Sequence, residues 1–126
     1  MITIAIITIV ILVQYSYFTF RTGMSRGKVV VAPAVTGSER FERALRVQLN
    51  TLEQMVITIP AMWICGMHFS TKVAILLGAA FVVGRALYSI TYMRDPSTRT
   101  IGFMIGFFAN VGLLVCGLIG LVKHFT

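Results

Sequence analysis

Four apolar stretches take up most of this chain: Ile2 to Phe20, about Leu49 to Phe69, Val73 to Tyr92, and Ile101 to Val122. A helix needs ~20 residues to cross a ~30 Å hydrocarbon layer, so four crossings nearly exhaust 126 residues. The rest is too short for a separate soluble domain, in keeping with 57% hydrophobic and 12% charged residues and a mean hydropathy of +0.88. The chain reads as an all-α integral membrane protein. One four-transmembrane-helix domain is expected over residues 1–126, with helices near 2–20, 39–69, 72–93 and 100–123. The first stretch has no basic n-region and no small-residue cleavage site, and its apolar run outlasts a typical signal-peptide core. It therefore reads as the first crossing.

Charge placement predicts the orientation. The net charge is +7, which in a soluble chain would suggest a nucleic-acid partner. Here Arg21, Arg26, Lys28, Arg40, Arg43 and Arg46 follow the first helix or open the second, and Arg85, Arg94 and Arg99 lie before or within the third connection. Only Lys72 and Lys123 fall on the other side. The positive-inside rule then makes the first and third connections cytoplasmic and both termini extracytoplasmic. Most of the positive charge is topology, and no nucleic acid is expected. Cys65 and Cys116 sit inside apolar stretches with no CxxC and no Cys/His cluster at ligand spacing. They read as small packing residues, and no metal is expected.

Punctuation along the chain is sparse. Gly23, Gly27, Pro33 and Gly37 predict a loop from Arg21 to Ser38, and Ser38 before Glu39 and Glu42 predicts a helix N-cap. Pro60 predicts a kink in the second helix. His68 near the short second connection reads as an interfacial residue, and Asp95-Pro96 closes the third helix. Glycines at 102, 106, 112, 117 and 120 predict close packing of the fourth.

Chemistry concentrates at the arginine-rich end. Arg43, Arg46, Asn50 and Glu53 are spaced i, i+3, i+7, i+10, which places them along one helical face with Gln48 beside it. An acid such as Glu53 near a hydrocarbon layer normally faces an interior or a watery cavity and has a partner. Arg85, Tyr88 and Tyr92 share a face of the third helix at i, i+3, i+7, and Arg94 and Arg99 follow. Each group alone fits an ion pair, an interfacial anchor or a topogenic charge. Together at one depth they predict a polar site. Several arginines with an amide suit carboxylates through bidentate bonds, and Glu53 suits an ammonium group, so a small zwitterion with two carboxylates fits. No Gly-rich phosphate loop, Ser/His/Asp set or Cys/His pair is present, so reactivity would come largely from the ligand.

The run Phe41-Glu-Arg-Ala-Leu-Arg46-Val-Gln48-Leu-Asn50-Thr-Leu-Glu53 resembles the signature of the MAPEG family, the membrane-associated proteins of eicosanoid and glutathione metabolism. The likeness extends through Arg85-Ala-Leu-Tyr88-Ser-Ile-Thr-Tyr92 to Arg99 and upstream into Arg26 to Gly37, covering roughly residues 21 to 110. The resemblance implies a four-helix protomer in a homotrimer, with glutathione as cofactor bound between protomers near the cytoplasmic face. Arg46, Gln48, Asn50 and Glu53 then match glutathione contacts on the second helix, and Tyr88 and Tyr92 contacts on the third. Arg99 matches the catalytic arginine that holds the thiol as thiolate, and Arg26 matches a further contact in the first loop. The implied activity is a transferase or peroxidase acting on a lipophilic electrophile or hydroperoxide that arrives from membrane lipid. The alternative is a non-enzymatic binding or scaffold protein, which the same family contains. Gln54 stands where leukotriene C synthase has a tyrosine, which argues against that enzyme's specificity. A small multidrug transporter would also have four helices, but it needs an acid in its first helix, and this chain has none there.

Overall fold

Two serines open helices as their chemistry requires. The Ser38 hydroxyl accepts from the Phe41 N–H at 3.3 Å, and the Ser70 hydroxyl accepts from the Val73 N–H at 3.3 Å, each satisfying a donor that the first helical turn leaves free. The computed structural model describes residues 1–126 as four long helices: α1 (Ile2–Arg26), α2 (Glu39–His68), α3 (Thr71–Arg94) and α4 (Thr100–His124). A short 3-10 turn, Pro96–Thr98, joins α3 to α4. Its Asp95 carboxylate accepts from the backbone N–H and hydroxyl of Ser97, which together hold that acid below the usual carboxylate range.

One expectation needs correction. α1 does not end at Phe20 but runs on to Arg26, so Arg21 and Arg26 belong to a helix rather than a loop. Thr22 is buried there and its hydroxyl bonds back to the Phe18 carbonyl at 2.9 Å. The stop comes at Gly27, whose φ of 52° favours glycine. Pro60 lies inside α2, which is continuous from Glu39 to His68.

The lipid-facing character is written on the surface. Ile2, Val56, Leu76, Ile101 and Leu118 are among many exposed large hydrophobics, an outside suited to hydrocarbon rather than water. Helices α1, α3 and α4 are long and apolar enough to cross a membrane. α2 is not among those three, because its first turns carry charge as far as Glu53.

Inside, Ile4, Ile11, Met62, Cys65, Phe81 and Leu113 are fully buried in one cluster. Cys65 and Cys116 are both free thiols. Small residues set the α3–α4 distance. A Cβ added at Gly84 would lie 2.8 Å from the Gly106 nitrogen, and one at Gly102 would strike the Tyr88 backbone. Side-chain bonds then tie the helices in pairs. The Gln14 amide donates to the Val82 carbonyl at 2.9 Å, and the Trp63 indole N–H donates to the Thr8 hydroxyl at 3.0 Å. Asn110 on α4 donates to Gln54 Oε1 at 3.1 Å and accepts from Thr58 at 2.5 Å. In hydrocarbon such bonds contribute roughly 0.6–2 kcal/mol each.

Candidate functional site

Where α2, α3 and the start of α4 meet at the arginine-rich end, they enclose a cleft of about 460 Å³. Arg46 and Asn50 enter it from α2, Tyr88 and Tyr92 from α3, and Arg99 from the turn before α4. Thr100 and Phe103 complete the wall. The helical spacing explains the grouping. Arg46 and Asn50 are four apart, as are Tyr88 and Tyr92, and residues four apart stack on one face. The tyrosine rings lie 5.4 Å apart, and Phe103 packs 6.4 Å from Tyr88, which gives the cleft an aromatic floor.

Beneath it lies Arg85, with no exposed surface at all. Its Nη2 donates to Asn50 Oδ1 at 2.8 Å and to the Thr51 hydroxyl at 2.9 Å, and its Nε donates to Thr51 at 3.2 Å. The guanidinium carbon stands 4.1 Å from the centre of the Tyr88 ring. Arg85 thereby holds Asn50 of α2 and Tyr88 of α3, two of the four side chains that line the cleft from those helices. It has no carboxylate partner, since the one ion pair in the chain joins Arg43 to Glu39. Its Nη1 is buried without a hydrogen-bond partner.

Arg99 is exposed and anchored by a single bond, from Nη1 to the Pro96 carbonyl at 2.9 Å, so its other donors point to free space. Arg46 is exposed and unpaired. Two cations and an amide thus stand over an aromatic floor, an arrangement that binds and stabilises anions.

The remaining predicted residues lie elsewhere. Glu53 is exposed on α2 beyond the cleft wall, with no cationic partner in its own chain. Gln48 is on the opposite side of α2, where its amide donates to the Tyr15 hydroxyl of α1 at 3.3 Å. Arg26, at the end of α1, donates to the Ala34 carbonyl at 2.7 Å and stacks 4.5 Å over Phe41. Arg43, which shares the spacing of the α2 stripe, turns away to the Met93 and Arg94 carbonyls at 3.1 and 3.2 Å. The sequence reading gave no role to Thr51, Thr100 or Phe103. Nothing in their spacing marks them, because Phe103 and Thr100 meet the cleft only through the fold of the 96–98 turn. For Arg85 the signal was its spacing to Tyr88.

Residues 4–119 match the MAPEG family profile. This chain belongs to the MAPEG family. Among its MAPEG relatives is an uncharacterised protein of Synechocystis, 36% identical over 94% of this chain and 87% of the relative. Human microsomal glutathione S-transferase 2 is 35% identical over 98% of this chain and 85% of its own length. The bovine protein of that name is 32% identical over 98% of this chain and 86% of its own. Family membership and the apolar helices together make the chain a multi-pass integral membrane protein.

Proposed function

We propose that the protein is a glutathione-dependent membrane transferase or peroxidase, working at the cleft between α2, α3 and α4. The observation that carries this is the convergence of Arg46, Asn50, Tyr88, Tyr92 and Arg99 on one cavity, in a chain related to microsomal glutathione S-transferases. Glutathione enters as a consumed substrate rather than a resident cofactor. Its carboxylates suit Arg46 and Asn50, and its ammonium suits the unpaired Glu53. Arg99 faces the sulfur. A free thiol has a pKa of about 8.5, and a guanidinium within ~4–6 Å lowers such a value by about 1–3 units. The thiolate then attacks an electrophilic carbon, forming the carbon–sulfur bond as the leaving group departs with its electron pair. With a hydroperoxide it takes the outer oxygen as the O–O bond breaks, releasing the alcohol, and a second glutathione converts the resulting sulfenic acid to the disulfide and water. The second substrate arrives from the bilayer.

In this reading α2 is the fourth crossing. α1 and α3 meet at their arginine-rich ends, where Arg21 bonds Ser89 at 2.8 Å. At the far end Trp63 of α2 reaches Thr8 of α1, so α2 spans the full distance between the two. The arginine-rich end is cytoplasmic, and both termini lie on the other side.

The reading also includes a homotrimer with the site shared between protomers. Glu53 faces outward without a partner, while Gln48 and Arg26 sit on the α1 side of the same chain. A neighbouring protomer placed against the cleft would bring those two to the ligand. The test is titration of the detergent-purified chain with glutathione, with native mass spectrometry on the same sample. Trimers that bind glutathione and conjugate a lipophilic electrophile are expected. A glutathione-bound monomer would overturn the shared site, and binding without turnover on any electrophile or hydroperoxide would favour a scaffold.

A further inference from the structure

A second basic cleft, which Arg99 does not line, lies where α1, α2 and α3 meet. Arg21 from α1, Arg40 and Arg43 from α2 and Arg94 from α3 surround a cavity of about 520 Å³. The only acid at its wall is Glu39, and that carboxylate is already held by Arg43. Three guanidiniums are therefore left without a counter-charge inside the protein. Arg40 and Arg94 are exposed. Arg21 is more constrained: it lies 5.2 Å over the Phe18 ring and its Nη1 donates to Ser89 at 2.8 Å. Its Nε and Nη2 are shielded from solvent and have no acceptor. Those two donors are costly to leave unpaired and are closed off from the cleft, so an anionic oxygen there meets the exposed guanidiniums of Arg40 and Arg94.

The remaining wall says which anion. Ile90 and Met93 of α3 line the same cavity, and Ile90 is 58% exposed on the outer face of the helix. An arginine cluster therefore opens directly onto apolar, lipid-facing surface at the end of a membrane helix. We infer that this cleft binds the phosphate headgroup of an anionic phospholipid, with Ile90 and Met93 against its glycerol and upper acyl chain. Basic pockets between membrane helices take such headgroups, and each arginine near the surface contributes enough to change affinity about fivefold. The inference is independent of the glutathione reading, since Arg43, which faces this cleft, is not among the residues assigned to glutathione.

The test uses the full-length protein in phosphatidylcholine nanodiscs with trace spin-labelled phosphatidylglycerol or spin-labelled phosphatidylcholine. The protein should immobilise phosphatidylglycerol in excess over phosphatidylcholine. Arg40→Gln, at an exposed residue in no ion pair, should lower that selectivity about fivefold, and Arg40→Gln with Arg94→Gln should abolish it. Arg99→Gln should leave it unchanged. Equal immobilisation of both lipids, or selectivity that survives the double substitution, would overturn the assignment. So would calorimetry in which inorganic phosphate binds at the arginines while the native protein shows no lipid selectivity, since the cleft would then serve a soluble phosphate.

Discussion

Arg85 poses the sharpest question at the scale of single residues. A guanidinium buried without a carboxylate, and with one nitrogen unpartnered, is an expensive way to hold Asn50 and Tyr88 in place. Replacing a buried ion pair by apolar side chains of similar volume is often neutral or stabilising, and a buried cation with no carboxylate forgoes even the Coulombic gain of such a pair. Arg85→Met should therefore keep or raise the thermal unfolding midpoint in detergent. The same change frees Asn50 and removes the cation from the Tyr88 ring, so glutathione affinity should fall about tenfold, the equivalent of one charge-assisted bond. A variant that lost stability and affinity in proportion would show Arg85 to be structural only. The sequence revealed much at this scale. Spacing on α2 and α3 placed Arg46 with Asn50 and Tyr88 with Tyr92 on single faces, and all four line the cleft. It could not show that Arg43, at the same spacing, would be drawn to the α3 carbonyls. A helical period fixes which side chains share a face, and the neighbouring helix decides which of them stay free.

Among the elements, the α3–α4 contact governs the shape of the cleft. Gly102 lies against the backbone of Tyr88, and Gly84 against Gly106, so at these two points the main chains of the helices come into direct contact. Gly102→Ala should cost about 1–3 kcal/mol as the helices are forced apart and should weaken glutathione binding by moving Tyr88 relative to Arg99. Gly23→Ala is the control. A Cβ there meets nothing within 4 Å, and replacing a helical glycine by alanine gains roughly 0.5–1 kcal/mol. Unfolding of the two variants in detergent checks both signs, and a neutral Gly102→Ala would contradict the close contact. The glycine pattern in the sequence predicted tight packing of α4 without naming the partner. Helix ends were legible where capping chemistry was explicit, at Ser38 and Asp95. They were misread at Phe20, where Arg21 and Gly23 suggested a loop but the buried Thr22 carries the helix onward to Gly27.

For the whole molecule, the account requires the arginine-rich end in the cytoplasm and both termini outside it, because nine of the eleven Lys and Arg gather at or near that end. Reporter fusions at residues 1 and 126 should be active only in their extracytoplasmic form, and an active cytoplasmic reporter at residue 126 would reverse the topology. Composition was sufficient to identify a helical membrane protein, since the exposed hydrophobics of every helix are already visible as apolar runs. It could not show that Gln48 would bond the Tyr15 hydroxyl and Arg26 the Ala34 carbonyl, away from the cleft, because neighbouring segments decide which side chains stay free. The central claim is that Arg99 holds the glutathione sulfur as a thiolate in this cleft, and rapid mixing with glutathione while following ultraviolet thiolate absorbance tests it most directly. The native protein should develop the thiolate signal at neutral pH. Arg99→Ala should bind glutathione without that signal and with turnover reduced about 100-fold or more, whereas Arg46→Ala and Glu53→Ala should chiefly raise the glutathione concentration required. An Arg99→Ala protein with the native thiolate signal and native turnover would contradict the account.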